Sequence, residues 1–61
     1  MLTYNDMRNQ VDFQVEVRLC YYDYDSDERI FDTSENLGDK EVKYVYTEND
    51  AIIIEVEHDE D

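Results

Sequence analysis

Three aspartates at alternate positions, Asp23, Asp25 and Asp27, are the first residues whose types and spacing suggest chemistry. Carboxylates spaced in this way occupy positions 1, 3 and 5 of an EF-hand calcium loop. The rest of that pattern is missing, since Glu28 stands where the loop needs glycine and Ser34 where it needs glutamate. We therefore do not expect an EF-hand, although so many carboxylates suit weak, unspecific binding of divalent cations.

The residue types that usually carry out catalysis are too few to form a familiar active site. The chain has one cysteine, Cys20, and one histidine, His58, which lies far along the chain in the acidic segment HDED. It has a single glycine, no CxxC pair and no glycine-rich phosphate loop. We expect Cys20 to be a small apolar strand residue and His58 to be solvated. Neither enzymatic activity nor a bound cofactor or metal is expected.

Net charge is the most distinctive property of the sequence. Eighteen Asp and Glu residues against five Lys and Arg residues give a formal net charge of −13, whereas a small domain typically carries a magnitude of about 2 to 8. Such a surface repels nucleic acid and anionic membranes and favours a basic protein or a cation. Solubility and adaptation to high salt remain alternative explanations. A hydrophobic content of 41% argues against disorder.

Length and cysteine content constrain the class of protein. The 61 residues predict one small domain over residues 1–61, with 58–61 as a flexible tail. A lone cysteine excludes an internal disulfide and fits a reducing compartment. Residues 1–10 lack the features of a signal peptide, and the longest apolar run, residues 51–54, is far too short to span a bilayer. We expect a soluble, cytoplasmic protein.

Alternation of residue types predicts the elements that position these side chains. Thr3 and Asp6 form a capping-box pair ahead of a short helix over residues 4–9. Residues 11–22 alternate strictly between two faces, which is typical of a half-buried strand.

The second half of the chain predicts further strands. Residues 41–47 and 51–57 alternate around the polar turn END and predict a β-hairpin. Residues 25–38 fit either a strand near ERIFDT or a helix capped by Ser26; we favour the strand because its residues are mediocre helix formers. Together the elements predict an α+β fold, with a short N-terminal helix followed by a three- or four-stranded antiparallel β-meander.

Apolar residues also occur on the predicted strand face that points away from the core. They are Tyr22, Val45 and Ile53. Either the N-terminal helix covers this face, or it contacts another chain; the alternative is that these are the scattered apolar residues that a sheet surface normally carries. Tyr44 and Tyr46 are predicted to share a face with the core and to pack in it.

Carboxylates are predicted to lie in rows along the strands. Residues i and i+2 of an extended strand stand about 6.5 to 7 Å apart on one face, so the three alternate aspartates would form a ladder of anions. A second row would follow the last strand. Tyr22 and Tyr24 interleave with the ladder and are predicted interface anchors. The predicted partner-binding residues are Glu16, Tyr22, Asp23, Tyr24, Asp25, Asp27, Glu28, Glu55 and Glu57.

The segments YYDYDSDE and EVEHDED, together with the small size and the charge of −13, give the chain a resemblance to small acidic phage-encoded DNA-mimic inhibitors. That class includes anti-CRISPR proteins, anti-restriction proteins and uracil-DNA glycosylase inhibitors. The resemblance covers the whole chain in composition and involves no specific motif, so it assigns a role to no residue. It implies an inhibitor that occupies the nucleic-acid site of an enzyme.

These observations favour an inhibitor, acting in the host cytoplasm, that presents carboxylate rows to the basic groove of a nucleic-acid-binding enzyme such as a nuclease. Its partner would be that basic protein, and neither nucleic acid nor membrane would bind directly. The alternative is a structural or assembly protein that forms a homodimer through Ile53 and Val45, with a charge that only aids solvation. A third possibility is an acidic module that responds to divalent cations.

Overall fold

One helix and four strands make up the fold in the part of the chain that the structure describes. A computed structural model describes residues 1–31 and 33–58. The elements are α1 (Tyr4–Gln10), β1 (Val17–Asp23), β2 (Glu28–Phe31), β3 (Val42–Glu48) and β4 (Ala51–Val56). The strands form one sheet in the order β2-β1-β4-β3. The predicted α+β class is confirmed.

The path of the chain through the sheet differs from the predicted meander. β2 pairs with β1, and β3 with β4, in antiparallel fashion, but β1 and β4 are parallel. The prediction of an antiparallel meander is therefore wrong at the centre of the sheet. β4 is the most apolar strand and is buried along nearly its whole length. A central position gives β4 a hydrogen-bonded neighbour at each edge, and the connection that includes residues 33–41 carries the chain from β2 at one edge to β3 at the other.

Helix α1 begins as the capping box predicts. The Oγ1 of Thr3 accepts a hydrogen bond from the Asp6 amide at 3.1 Å, and the Asp6 carboxylate accepts one from the Thr3 amide at 3.2 Å. The helix ends at Gln10, one residue beyond the predicted range. Tyr4 and Met7 hold it against the sheet, where they pack on the main core.

We call the face of the sheet beneath α1 the covered face, and it carries the main core. Leu37, Ile54 and Val56 are its buried members. The partly buried residues around them are Tyr4, Met7, Phe13, Val17, Leu19, Tyr21, Val42 and Ile52. Leu37 belongs to the connection between β2 and β3, so this connection closes the covered face together with the helix.

The predicted strand over residues 11–22 begins only at Val17 and ends at Asp23. Residues 11–15 precede the ladder, because contact with β4 begins at the Glu16 carbonyl and the pairing of β1 with β4 starts at Val17. A strand without a neighbour has no ladder of backbone hydrogen bonds to stabilise it. Phe13 still packs on the main core, so this segment leads the chain from α1 back to the sheet.

The two later predictions of local structure are confirmed. The β3–β4 hairpin turns at Asn49 and Asp50, whose φ angles are 51° and 64°. Positive φ at both central residues is the geometry of a type I′ turn, and Asn and Asp tolerate it better than most residues. Strand β2 forms within the segment ERIFDT, as favoured over the helix, while Asp32 lies outside the described residues.

Candidate functional site

We call the second face of the sheet the open face, and its own long side chains cover it. Cys20 and Ile53 are 0% and 2% exposed there, with Phe31 and Tyr46 packed against them. The guanidinium carbon of Arg18 lies 4.3 Å from the centroid of the Phe31 ring. A small second core thus exists beneath aromatic and basic side chains.

This arrangement changes the predicted role of Ile53. The residue was expected to lie beneath α1 or to contact another chain, but Phe31 and Tyr46 of its own chain cover it. Val45 lies opposite Ile54 in the hairpin and remains exposed. Directly opposed residues share a face, so Val45 belongs to the covered side. The prediction that Ile53 is an exposed contact residue is therefore wrong, while the homodimer itself stays a prediction.

An ion pair lies at the centre of the open face. The Nε of Arg29 donates a hydrogen bond to Glu55 Oε1 at 2.7 Å, and Glu55 is only 4% exposed. The guanidinium carbon of Arg29 lies 5.8 Å from the ring centroid of Tyr22 and 5.7 Å from that of Tyr46. The hydrogen bond to Glu55 raises the pKa of Arg29 above its ordinary value. The prediction that Glu55 is an exposed partner-binding residue is wrong, because its charge is buried and paired within the chain.

Cys20 lies beneath this ion pair. Burial, followed by the nearby charge of Glu55, raises the pKa of the Cys20 thiol to about 11. A thiol with such a pKa is protonated at neutral pH and is a poor nucleophile. The expected role of Cys20 as a small apolar strand residue is confirmed by its complete burial in β1.

A groove of about 770 Å³ opens on the open face beside the ion pair. It is lined by Tyr22, Tyr24, Arg29, Lys43, Tyr44, Tyr46 and Glu55, and Val45 borders it only as the strand residue between Tyr44 and Tyr46. The rings of Tyr22 and Tyr24 meet edge to face, with centroids 5.0 Å apart. Tyr24 and Tyr44 are 67% and 57% exposed. The groove therefore offers aromatic surface to a ligand or partner.

A β-bulge brings Tyr44 into this groove. The register of β3 shifts between Val42 and Tyr44, so Val42 packs in the main core while Tyr44 faces the opposite side. The prediction that Tyr44 packs in the core is wrong for this reason. Tyr46 packs against buried residues, but they are those of the open face.

The segment predicted to carry the aspartate ladder forms a turn. The two carboxylate oxygens of Asp23 accept hydrogen bonds from the Asp25 amide and the Ser26 hydroxyl, each at 3.0 Å. Asp27 has a φ of 57°, and its carboxylate accepts a hydrogen bond from the Tyr22 hydroxyl. The prediction of a ladder along an extended strand is wrong, because the chain turns directly after Asp23.

Carboxylates nevertheless gather at the end of the sheet that contains this turn. Glu28 lies opposite Asp23 across the β1–β2 pair. Because β4 runs parallel to β1, Glu57 leaves the sheet at the same end. The Glu57 amide donates a hydrogen bond to the Glu41 carbonyl at 2.9 Å, which places the start of β3 there too.

We call this region the acidic end; it consists of Asp23, Asp25, Asp27, Glu28, Glu41 and Glu57. Glu28 and Asp23 belong to the neighbouring strands β2 and β1, while Glu57 directly follows β4 and Glu41 directly precedes β3. Neighbouring strands are about 4.8 Å apart. The carboxylates are therefore distributed across the end of the sheet and are not aligned along one strand.

Glu16 does not join this group. It precedes β1, at the end of the sheet where the β3–β4 hairpin turns, and its carbonyl accepts a hydrogen bond from the Ile52 amide at 2.8 Å. A strand of seven residues spans about 20 Å, which separates Glu16 from the acidic end. Sequence reasoning also missed Glu41, because only the position of β3 in the sheet brings it to the group.

His58 is docked on the covered side of the sheet. Its ring stacks on Tyr21 with centroids 3.8 Å apart and an interplanar angle of 12°. Its Nε2 lies 3.2 Å from the Glu35 carboxylate. The expectation of a solvated histidine is therefore wrong, while the rest of the predicted tail, 59–61, lies outside the described residues.

Two further structural findings concern only residues 1–31 and 33–58. No three or more His, Cys, Asp or Glu side chains among them are grouped so that they could hold a metal ion. No described helix has the length and apolar character needed to cross a membrane.

Comparisons with known proteins gave no match. This holds for protein-family models, for curated proteins and for solved structures. The function is therefore inferred from the acidic end and from the groove beside it.

Proposed function

We propose that this protein inhibits a nucleic-acid-binding enzyme by occupying its basic groove. The acidic end takes the place of a phosphate backbone, and Tyr24 contributes an anchoring contact at its border. The target class is a nuclease, or a similar nucleic-acid enzyme, of a host defence system that a phage has to evade.

The observation that carries this proposal is that six acidic residues, in or next to the ends of all four strands, lie at one end of the sheet. A basic nucleic-acid groove neutralises successive phosphates with Lys and Arg side chains, and several carboxylates at one end of a sheet offer anions to such side chains. Lys and Arg side chains that neutralise phosphates can pair equally with carboxylates, and Arg does so in a bidentate manner.

The turn within the acidic end is held in place before any partner arrives. Asp23 fixes the backbone of Asp25 and the side chain of Ser26, and Tyr22 fixes Asp27. A surface that is already ordered loses less conformational entropy on binding. The exposed ring of Tyr24 lies within this ordered turn and adds apolar area at the border of the charged surface.

The charge of −13 gives the proposed interaction a characteristic dependence on salt. Long-range attraction to a basic groove accelerates association at low ionic strength. Inhibition should weaken steeply as salt rises, as the binding of nucleic acid by the same groove does.

The test is an affinity pull-down from nuclease-treated host lysate at low salt, eluted with a salt gradient or with duplex DNA. The acidic-end variant is Asp25→Asn, Asp27→Asn, Glu28→Gln and Glu57→Gln. Asp23 is left unchanged because its carboxylate holds the turn. The matched control is Asp12→Asn, Glu16→Gln, Glu48→Gln and Asp50→Asn, which removes the same number of charges elsewhere.

We expect the unmodified protein and the control to retain a nucleic-acid-binding enzyme that DNA displaces, and the acidic-end variant to retain none. Equal loss in both variants would show that only total charge matters, which contradicts a defined interface. Retention of nothing but the protein itself would contradict inhibition and favour an assembly role.

A further inference from the structure

The groove on the open face has a local charge opposite to that of the rest of the molecule. Two of the five basic residues in the chain, Arg29 and Lys43, line it. Its one acidic lining residue in the described part of the chain, Glu55, is already paired with Arg29. An excess of positive charge in one groove of a strongly acidic protein is not explained by solubility or by mimicry of DNA.

Part of the Arg29 guanidinium is accessible to a ligand, because the Arg29 side chain is 47% exposed. A guanidinium has five N–H donors in a fixed fork. Within the described residues its hydrogen-bonded partner is Glu55, which it reaches through Nε. The ring centroids of Tyr22 and Tyr46 lie 5.8 Å and 5.7 Å from its guanidinium carbon. The two Nη atoms keep donors suited to bidentate binding of a phosphate or a carboxylate.

Aromatic rings complete the groove around these two cations. Tyr24 and Tyr44 are mostly exposed and border the same space. Any nucleic-acid base can stack on such rings, because every base has a π-face. A volume of about 770 Å³ lies within the range of roughly 300–1,000 Å³ typical of small-molecule sites.

We infer that this groove binds a planar aromatic ring that carries an anionic group, of the chemical class of a nucleoside monophosphate. The ring stacks against Tyr24 and Tyr44, and the phosphate contacts Arg29 and Lys43. A long nucleic acid is excluded, because its further phosphates would meet the acidic end beside the groove. Tyr24 takes part both in this inference and in the proposed inhibitor function, but Arg29 and Lys43, which the test below changes, belong to this inference alone.

The test is a titration of the isotope-labelled protein, followed by nuclear magnetic resonance in about 0.15 M salt, where the Debye length is about 8 Å. The probes are adenosine monophosphate, adenosine, and inorganic phosphate. We expect the monophosphate to shift the signals of Tyr24, Arg29 and Lys43 in a saturable manner. Adenosine and phosphate, which each supply half of the recognised chemistry, should bind at least about tenfold more weakly.

Variants separate the groove from general charge effects. Lys43→Gln removes one groove cation from an exposed position and should weaken binding of adenosine monophosphate about fivefold to tenfold. Arg8→Gln removes the same charge from α1, where Arg8 lies beside Tyr4 and Phe13, and should leave binding unchanged. Arg29→Lys keeps a positive charge near Glu55 but removes the fork, and it should also weaken binding.

Three results would overturn the inference. The first is no saturable shift of groove signals with adenosine monophosphate at millimolar concentrations. The second is equal weakening by Lys43→Gln and Arg8→Gln, which would indicate an unspecific charge effect. The third is a shift of the groove signals by an arginine-rich peptide but not by the nucleotide, which would assign the groove to a protein partner. In none of these does the result of the pull-down change.

Discussion

The two faces of the sheet are stabilised in different ways. The covered face is closed by α1 and by residues 33–41 over an apolar core that includes Ile54 and Val56. The open face buries Cys20 and Ile53 beneath aromatic side chains, with the Arg29–Glu55 ion pair beside them. Strand β4 supplies buried residues to both, because it lies at the centre of the sheet between two neighbours.

The covered face therefore contributes mainly to stability, whereas the open face also leaves groups accessible for recognition. Burial of apolar area on the covered face stabilises the fold without requiring specific contact directions. The side chains that provide this burial are enclosed and cannot also contact a ligand. On the open face, rings and a guanidinium cover the second core while their outer edges remain at the surface. A face built in this way can hold the fold together and still offer donors and aromatic surface to a ligand.

The largest effect should follow from a cavity in the covered face. Ile54→Ala removes a side chain that is 0% exposed, and such truncations cost about 2–5 kcal/mol. A domain of this size has little stability to spare, so we expect most of the variant to be unfolded at room temperature. Urea denaturation followed by circular dichroism measures this effect. Val45→Ala, at an exposed neighbour, is the control and should unfold at nearly the same urea concentration as the unmodified protein.

A smaller effect is expected at the centre of the open face. Glu55→Ala should cost about 1–2 kcal/mol, mainly from its two buried methylene groups, because Arg29 is half exposed and water can solvate its charge. Glu55→Met, which keeps the volume, should be closer to neutral. A loss from Glu55→Ala as large as that from Ile54→Ala would show that the ion pair, and not apolar packing, dominates this face.

The helix that closes the covered face gives a third comparison. Thr3→Ala removes the side chain that caps α1 and should cost about 1 kcal/mol. Thr3→Ser keeps the hydroxyl and should retain most of the stability. Thermal unfolding of the two variants measures the difference. No difference between them would mean that packing of Tyr4 and Met7 alone holds the helix in place.

The smallest effect at neutral pH concerns the Cys20 thiol. Its pKa is raised from 9.0 to about 11 in the folded chain, so the folded state favours the protonated form. The stability that this provides is complete below about pH 9 and is lost as pH rises through 11. Burial also raises the pKa of Tyr46, which adds a loss in the same direction. Urea denaturation between pH 7 and 11 should show the decline, and Cys20→Ala should show a shallower one; equal slopes would contradict the role of the thiol.

Local structure was predictable wherever a short sequence determines its own geometry. Thr3 and Asp6 predict their capping box, because both partners lie within one turn of chain. The residues END predict the hairpin turn, because Asn49 and Asp50 tolerate the positive φ that it requires. The β2 strand was favoured by the poor helix propensity of its residues.

Part of the candidate site was also predictable. Tyr22, Tyr24, Asp25, Asp27 and Glu28 were identified as surface residues of one segment, and they do lie together. Glu55 was not predictable as a buried residue, since its partner Arg29 is 26 positions away in the sequence. Tyr44 was misplaced because nothing in an alternating pattern marks the bulge that reverses its direction.

The sequence by itself determined the class of fold, the short-range turns and caps, and the acidic character of the surface. These depend on residue types and on neighbours a few positions apart. Tertiary structure decided that β4 lies parallel to β1 in the centre of the sheet. That single choice brought Glu57 to the turn of Asp23, placed Glu41 beside it, and buried Glu55 against Arg29. Long-range pairing has this effect because it is set by burial of the whole chain, and local alternation carries no information about which strands become neighbours.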